Sequence, residues 1–149
     1  RMGIENEICS DNAPLCEMVY ALQENGIDIH CMRDITRGGL GTVLNELSSS
    51  SGVHIDIFEN KIPVSNEVRA FSKILGLNLL HLGNEGKMVI FVSKEQSKKA
   101  LDIIKGSKYG ENAAEIGVVS NGEGVTLITE LGGRKKVNIL IGEGLPRIC

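Results

Sequence analysis

The apolar residues of this chain change period several times, and the order of those changes limits the fold more than any other feature. From Ala13 to Asn25 they fall at Leu15, Met18, Val19 and Leu22, the spacing of one helix face, with Asp11 or Asn12 placed to cap the start and Asn25-Gly26 to end it. Ile27, Ile29 and Cys31 then alternate with Asp28 and His30 as far as Met32, as in a strand with one solvated side. Helical spacing returns at Leu40, Val43, Leu44 and Leu47, with Ser48 to Gly52 read as a frayed end, and Val53 to Phe58 is a second strand. Past the turn at Pro63, Ser65 to Leu75 reads as a short helix stopped by Gly76. Met88 to Val92 is apolar without alternation, which predicts the most buried strand. Lys94 to Lys105 is an amphipathic helix with Ala100, Leu101 and Ile104 inward, and Glu115 to Val119, Val125 to Thr129 and Lys136 to Leu140 are strands between glycine-rich turns.

Helices and strands that alternate and then give way to consecutive strands predict an α+β fold: a mixed, largely antiparallel sheet packed with helices. Residues 1 to 140 are expected to make one domain. The segment 141 to 149 has no periodicity and is expected to be a tail, mobile unless docked.

Composition removes several function classes. Aromatics are 3% of the 149 residues with no Trp, the net charge is −3, and the lysines are scattered, so neither stacking platforms nor a basic face for nucleic acid is expected. The longest apolar run is far shorter than the roughly 20 residues a membrane helix needs, and no signal-peptide pattern follows Arg1, so a soluble protein is expected and the start reads as a mid-protein cut. The four cysteines, Cys9, Cys16, Cys31 and Cys149, include no CxxC pair, which fits a reducing cytoplasm. Cys31 reads as a small core residue, and His30, His54 and His81 have no metal-ligand spacing, so no metal site is expected.

Three stretches carry chemical potential. In Arg33-Asp34-Ile35-Thr36-Arg37-Gly38-Gly39-Leu40, two glycines permit close approach of the backbone, the helix start offers N–H groups to an anion, and Arg33 and Arg37 reinforce the charge. A plain strand-to-helix turn with an Asp or Thr cap would have the same spacing. In Leu82-Gly83-Asn84-Glu85-Gly86-Lys87, Glu85 stands between glycines as an acid or base candidate with Lys87 as its partner, although a tight turn with a solvated Glu would look alike. The terminal Cys149 is a thiol at the end of a Pro-containing segment, a form suited to a group-carrying nucleophile; Arg147 favours its thiolate and the terminal carboxylate opposes it. A lone terminal cysteine is otherwise a bystander.

Taken together, Met32 to Leu40, Asn84-Glu85-Gly86-Lys87 and the closing Leu145-Pro146-Arg147-Ile148-Cys149 resemble the HypE family of hydrogenase maturation factors, within the aminoimidazole ribonucleotide (AIR) synthetase superfamily. The family more often has Pro where this sequence has Ile35. The resemblance implies the fold of the C-terminal domain of AIR synthetase and an N-terminal ATP-binding domain that this chain lacks, with ATP and Mg2+ bound mainly there. It implies that Cys149 receives a carbamoyl group from the carbamoyltransferase HypF, that ATP-dependent dehydration turns this S-carboxamide into a thiocyanate, and that the cyanide passes to iron held by HypC and HypD. Glu85 becomes the candidate base. Arg33, Asp34, Thr36, Arg37, Gly38, Gly39, Asn84, Lys87 and Arg147 become candidates for the phosphate or the tail channel, and the full-length form is expected to be a homodimer. Two other readings stand beside this one: another synthetase of the superfamily, purine-pathway or selenophosphate-forming, that releases a free product, and a module that only docks maturation partners.

Overall fold

The structure, a computed structural model, describes residues 12 to 139. The elements follow the expected order: α1 (Cys16–Glu24), β1 (Ile29–Asp34), α2 (Gly39–Ser51), β2 (Val53–Phe58), α3 (Asn66–Leu75), β3 (Met88–Val92), α4 (Lys94–Lys105), β4 (Gly117–Asn121), β5 (Gly124–Ile128) and β6 (Arg134–Lys136). Single 3-10 turns at Glu59–Lys61 and Leu79–His81 join β2 to α3 and α3 to β3. Three of the four strand pairings are antiparallel and one, β2 with β5, is parallel, so the fold is the mixed α+β arrangement expected. The sheet is divided, however. Among the described residues β1 pairs only with β3, and the other strands form a second sheet in the order β4-β2-β5-β6.

That division corrects the reading of β3 as the most buried strand. Val89 is buried and Phe91 packs on the cluster of α2, β2 and β5, while Ile90 and Val92 pack the opposite way on Leu22, Ile27 and Ala100, between α1 and α4. Both faces of β3 are covered, which is why its sequence does not alternate, but among the described residues it pairs along one edge only and most of its residues stay half-exposed. The deepest strand positions are instead Ile55 and Ile57 in β2 and Val125 in β5, each 1–2% exposed.

Ends shift for local reasons. α1 begins at Cys16 rather than Ala13, with Leu15 at its N-cap, because the ring of Pro14 disfavours helical geometry at the residue before it. Gly76 ends α3 in the left-handed conformation as expected, and Ser65 caps its start by accepting from the Val68 N–H at 3.3 Å. Ser48 is no frayed end. Its side chain is 1% exposed, its hydroxyl donates to the Val53 carbonyl at 2.6 Å and accepts from the Gly124 N–H at 2.7 Å, and it ties α2 to β2 and β5. β6 starts two residues early because Thr129 to Gly133 closes a tight turn, with Gly132 N–H to Thr129 O at 2.9 Å and Thr129 N–H to Gly133 O at 2.8 Å.

Candidate functional site

Two of the three chemically promising stretches meet. β1 ends at Asp34, and Ile35, 8% exposed, drops its side chain into the main core. Its backbone does the joining: the Ile35 N–H donates to the Lys87 carbonyl at 2.9 Å, and the Ile35 carbonyl accepts from the Asn84 N–H at 3.0 Å. The segment from Arg33 to Gly39 and the loop from Gly83 to Lys87 therefore form one surface. A proline at position 35 would lack the N–H that Ile35 gives to Lys87, so isoleucine makes a tie here that proline cannot.

A third segment, which sequence reasoning missed, completes the surface. The 3-10 turn Leu79–His81 packs on the start of α2. A Cβ on Gly39 would lie 2.6 Å from the carbonyl oxygens of both Leu80 and Leu82, and one on Gly41 would lie 2.6 Å from Cε1 of His81. Gly39 also has φ of +65° and Gly38 of +80°. Gly39 and Gly41 thus let the start of α2 lie against the turn, whereas the close neighbour of Gly38 is the Thr42 side chain. The ring of His81 covers Gly41, its Nδ1 is buried without a hydrogen-bond partner among the described residues, and burial lowers its pKa from the ordinary 6.5. No spacing in the sequence pointed to His81.

The polar side chains of this surface reach outward. Glu85 and Arg37 are exposed, Thr36 and Asn84 half-buried. Lys87 Nζ donates to Asn84 Oδ1 at 3.2 Å, so the lysine is held by its neighbour in the loop, and Asn84 Nδ2 donates to the Leu82 carbonyl at 2.9 Å. Arg33 is oriented by Glu46 of α2, Nη2 to Oε2 at 3.2 Å. Met32, Arg33, Asp34 and Met88 line a shallow hollow of about 160 Å3 beside it. Small-molecule pockets run from about 300 Å3 upward, so this hollow, with two methionines and a carboxylate among its four lining residues, is too small for a whole nucleotide. Arg147 and Cys149 lie outside the described residues.

Elsewhere, His30 and His54 lie in strands and His81 in a turn, and Cys31 is half-buried in β1. Among the described residues no group of three or more His, Cys, Asp and Glu side chains converges on a point that could hold a metal ion, and no helix is long and apolar enough to cross a membrane.

The joined segments, with the helix they open onto, belong to a known domain. Residues 9–130 match the family described as AIR synthase related protein, C-terminal domain. The chain belongs to that family. Within the AIR synthase related proteins it is similar to carbamoyl dehydratase HypE of Azotobacter vinelandii, 41% identical over 150 residues that make up 99% of this chain and 44% of that protein. Among solved structures, HypE in complex with ATP matches with a TM-score of 0.90 at 36% identity, over 99% of this chain and 46% of that one. A chain of a HypE-HypF complex matches with a TM-score of 0.88 at 40% identity, over 93% and 46%. This AIR synthase related domain thus spans less than half the length of the relatives it matches.

Proposed function

We propose that the chain is the C-terminal portion of a HypE-type, ATP-dependent carbamoyl dehydratase that makes the cyanide ligands of [NiFe]-hydrogenase. The observation that carries the reading is the joining of the Arg33 to Gly39 segment and the Asn84 to Lys87 loop through Ile35, two stretches of the resemblance that lie far apart in sequence. The similarity to HypE along nearly the whole chain supports it.

The residue types suit the chemistry. HypF transfers a carbamoyl group to the sulfur of Cys149. The amide oxygen of the S-carboxamide is a poor leaving group, so the terminal phosphoryl group of ATP moves onto it, giving ADP. The oxygen then departs as phosphate, both amide protons are lost, and the carbon is left triply bonded to nitrogen on the sulfur. Glu85, exposed and flanked by Gly86, is the base for a proton. Arg33, Arg37, Thr36 and Lys87 hold the phosphate as its charge develops, with Asp34, Gly38, Gly39 and Asn84 shaping the approach. The base and ribose of ATP, with Mg2+, are held mainly by the rest of the full-length protein. The sulfur of Cys149, beside Arg147 in the segment 141 to 149 outside the described residues, serves HypF, the ATP site and iron on HypC-HypD in turn, in a cytoplasmic homodimer.

In the full-length protein, ATP hydrolysis should depend on carbamoylation of Cys149, and Cys149→Ala should stop it. Undiminished turnover in Cys149→Ala would overturn the reading. A free-product synthetase would instead survive removal of Ile148 and Cys149.

A further inference from the structure

α3 is held at its two ends and bare along its apolar side. Ile62 before it and Leu80 after it pack on the main core. Ser65 caps its start, and Gly76 closes its end, where the Leu77 N–H donates to the Ser72 carbonyl at 2.9 Å. Between those anchors Val68, Phe71 and Leu75 share one stripe with Ile74 at its margin, and Arg69 and Lys73 lie on the other side. Such a stripe ordinarily faces a core. Among the described residues, however, none of the four apolar side chains packs on either core cluster, and within the helix Ser72 alone is buried. Ile74 is 74% exposed and Leu75 51%. The helix has 10 residues, fewer than the roughly 12–15 at which even an isolated helix becomes stable in water, and most helical stability comes from packing the apolar face. A cover on this stripe is what α3 lacks.

We infer that the stripe of Val68, Phe71, Ile74 and Leu75 is the seat of the half of the full-length protein that is absent from this chain, and that α3 is an interface between the two halves of one molecule. The inference rests on the proposed reading of the chain as a C-terminal portion. Two observations choose this occupant. The relatives are more than twice as long, this chain covering 44% of one and 46% of another, so a body of similar size adjoins the domain. That body also has to meet the surface next to α3, because the hollow beside Arg33 is too small for a whole nucleotide and the rest of ATP is held by the absent half. α3 runs directly into that surface. Gly76 to Asn78 lead to the turn Leu79–His81, where the Asn78 side chain accepts from the Leu80 N–H at 3.1 Å and the turn lies against Gly39 and Gly41. A body seated on the site from the side of this turn continues over the apolar stripe and removes it from water.

The test uses the full-length protein with the photo-reactive residue p-benzoylphenylalanine in place of Ile74, prepared as an equal mixture of isotopically light and heavy chains. Irradiation should join position 74 to peptides from the half that precedes this chain, with both peptides of each product carrying the same label. Products that mix labels would show a second copy on the stripe, and products confined to this domain would show an uncovered helix; either result overturns the inference. Ile74→Lys is the second measurement. Lysine forms helix at least as well as isoleucine and suits a last helical turn, so the change does not weaken α3 by itself. Covering one aliphatic side chain favours the seated state by about tenfold or more. Hydrogen exchange should therefore be about tenfold faster in peptides covering 66 to 75, with those covering 53 to 58 unchanged, and Leu75→Lys should behave alike. Unchanged or slower exchange of 66 to 75 in both variants would overturn the seat. Neither readout depends on turnover, so a protein that fails to convert the carboxamide refutes the proposed function while the cross-links still decide the interface.

Discussion

Gly39→Ala should damage this domain more than substitution at any of its other left-handed helix-boundary glycines. At φ +65° an alanine costs about 1–2 kcal/mol relative to its preferred conformations. Gly52, at φ +63° with nothing within 4 Å of an added Cβ, would incur only that conformational cost. At Gly39 the new methyl would also lie 2.6 Å from two backbone carbonyl oxygens, those of Leu80 and Leu82, neither of which can rotate away as a side chain would. Relief requires the Leu79–His81 turn to move back, at a further cost of about 1–3 kcal/mol, the range for overpacking. Gly38→Ala falls between them, since its φ of +80° is similar but its close neighbour is the Thr42 side chain. Urea denaturation should therefore rank Gly39→Ala below Gly38→Ala below Gly52→Ala in stability, with Gly39→Ala about 3 kcal/mol under wild type. For a domain of this size that corresponds to a fall in Tm of roughly 6–12 °C. A Gly39→Ala loss no larger than that of Gly52→Ala would show that the turn does not press on the helix start, and would remove the structural basis of the site.

Ser48→Ala should destabilise by about 2–4 kcal/mol in the same assay, because it strands the Val53 carbonyl and the Gly124 N–H together; a loss under about 1 kcal/mol would refute that role. Burial depresses the pKa of His81, so the unfolded chain binds a proton more readily than the folded one. This part of the stability is complete above about pH 6.5 and is lost as the pH falls from there toward the depressed folded value. The stability difference between pH 7.5 and pH 5.5 should be smaller in His81→Gln than in wild type, and an identical pH dependence would contradict the assignment. Glu46→Gln should alter stability by less than about 1 kcal/mol, since its pair with Arg33 is half-exposed, yet lower ATP turnover of the carbamoylated full-length protein by freeing Arg33; unchanged turnover would remove Glu46 from the site.

The order of elements was legible because each helix and strand here has a clear apolar period, and because Asn25-Gly26 and Gly76 stop their helices by local geometry alone. What pairs with what was not. The division into two sheets depends on which strand edges meet, and β3, with both faces covered, has a sequence that reads the same whether its edges are paired or bare. Ser48 looked like a fraying end because its two bonds go to residues 5 and 76 positions away, which no helical period records. For the site, the motif residues were visible, but their junction rests on backbone atoms of Ile35 and on His81 over Gly41. Backbone hydrogen bonds and missing methyl groups leave little trace in a single sequence.

On the proposed reading, Cys149 carries a one-carbon unit that ATP converts. Intact-mass and peptide analysis of the full-length protein, incubated with carbamoyl phosphate and the carbamoyltransferase, tests it most directly. With ATP one cyano group is expected on the terminal peptide, and with ATP withheld from the dehydration step one carbamoyl group in its place. An unmodified terminal peptide under both conditions, from protein shown to be folded and able to bind the transferase, would contradict it.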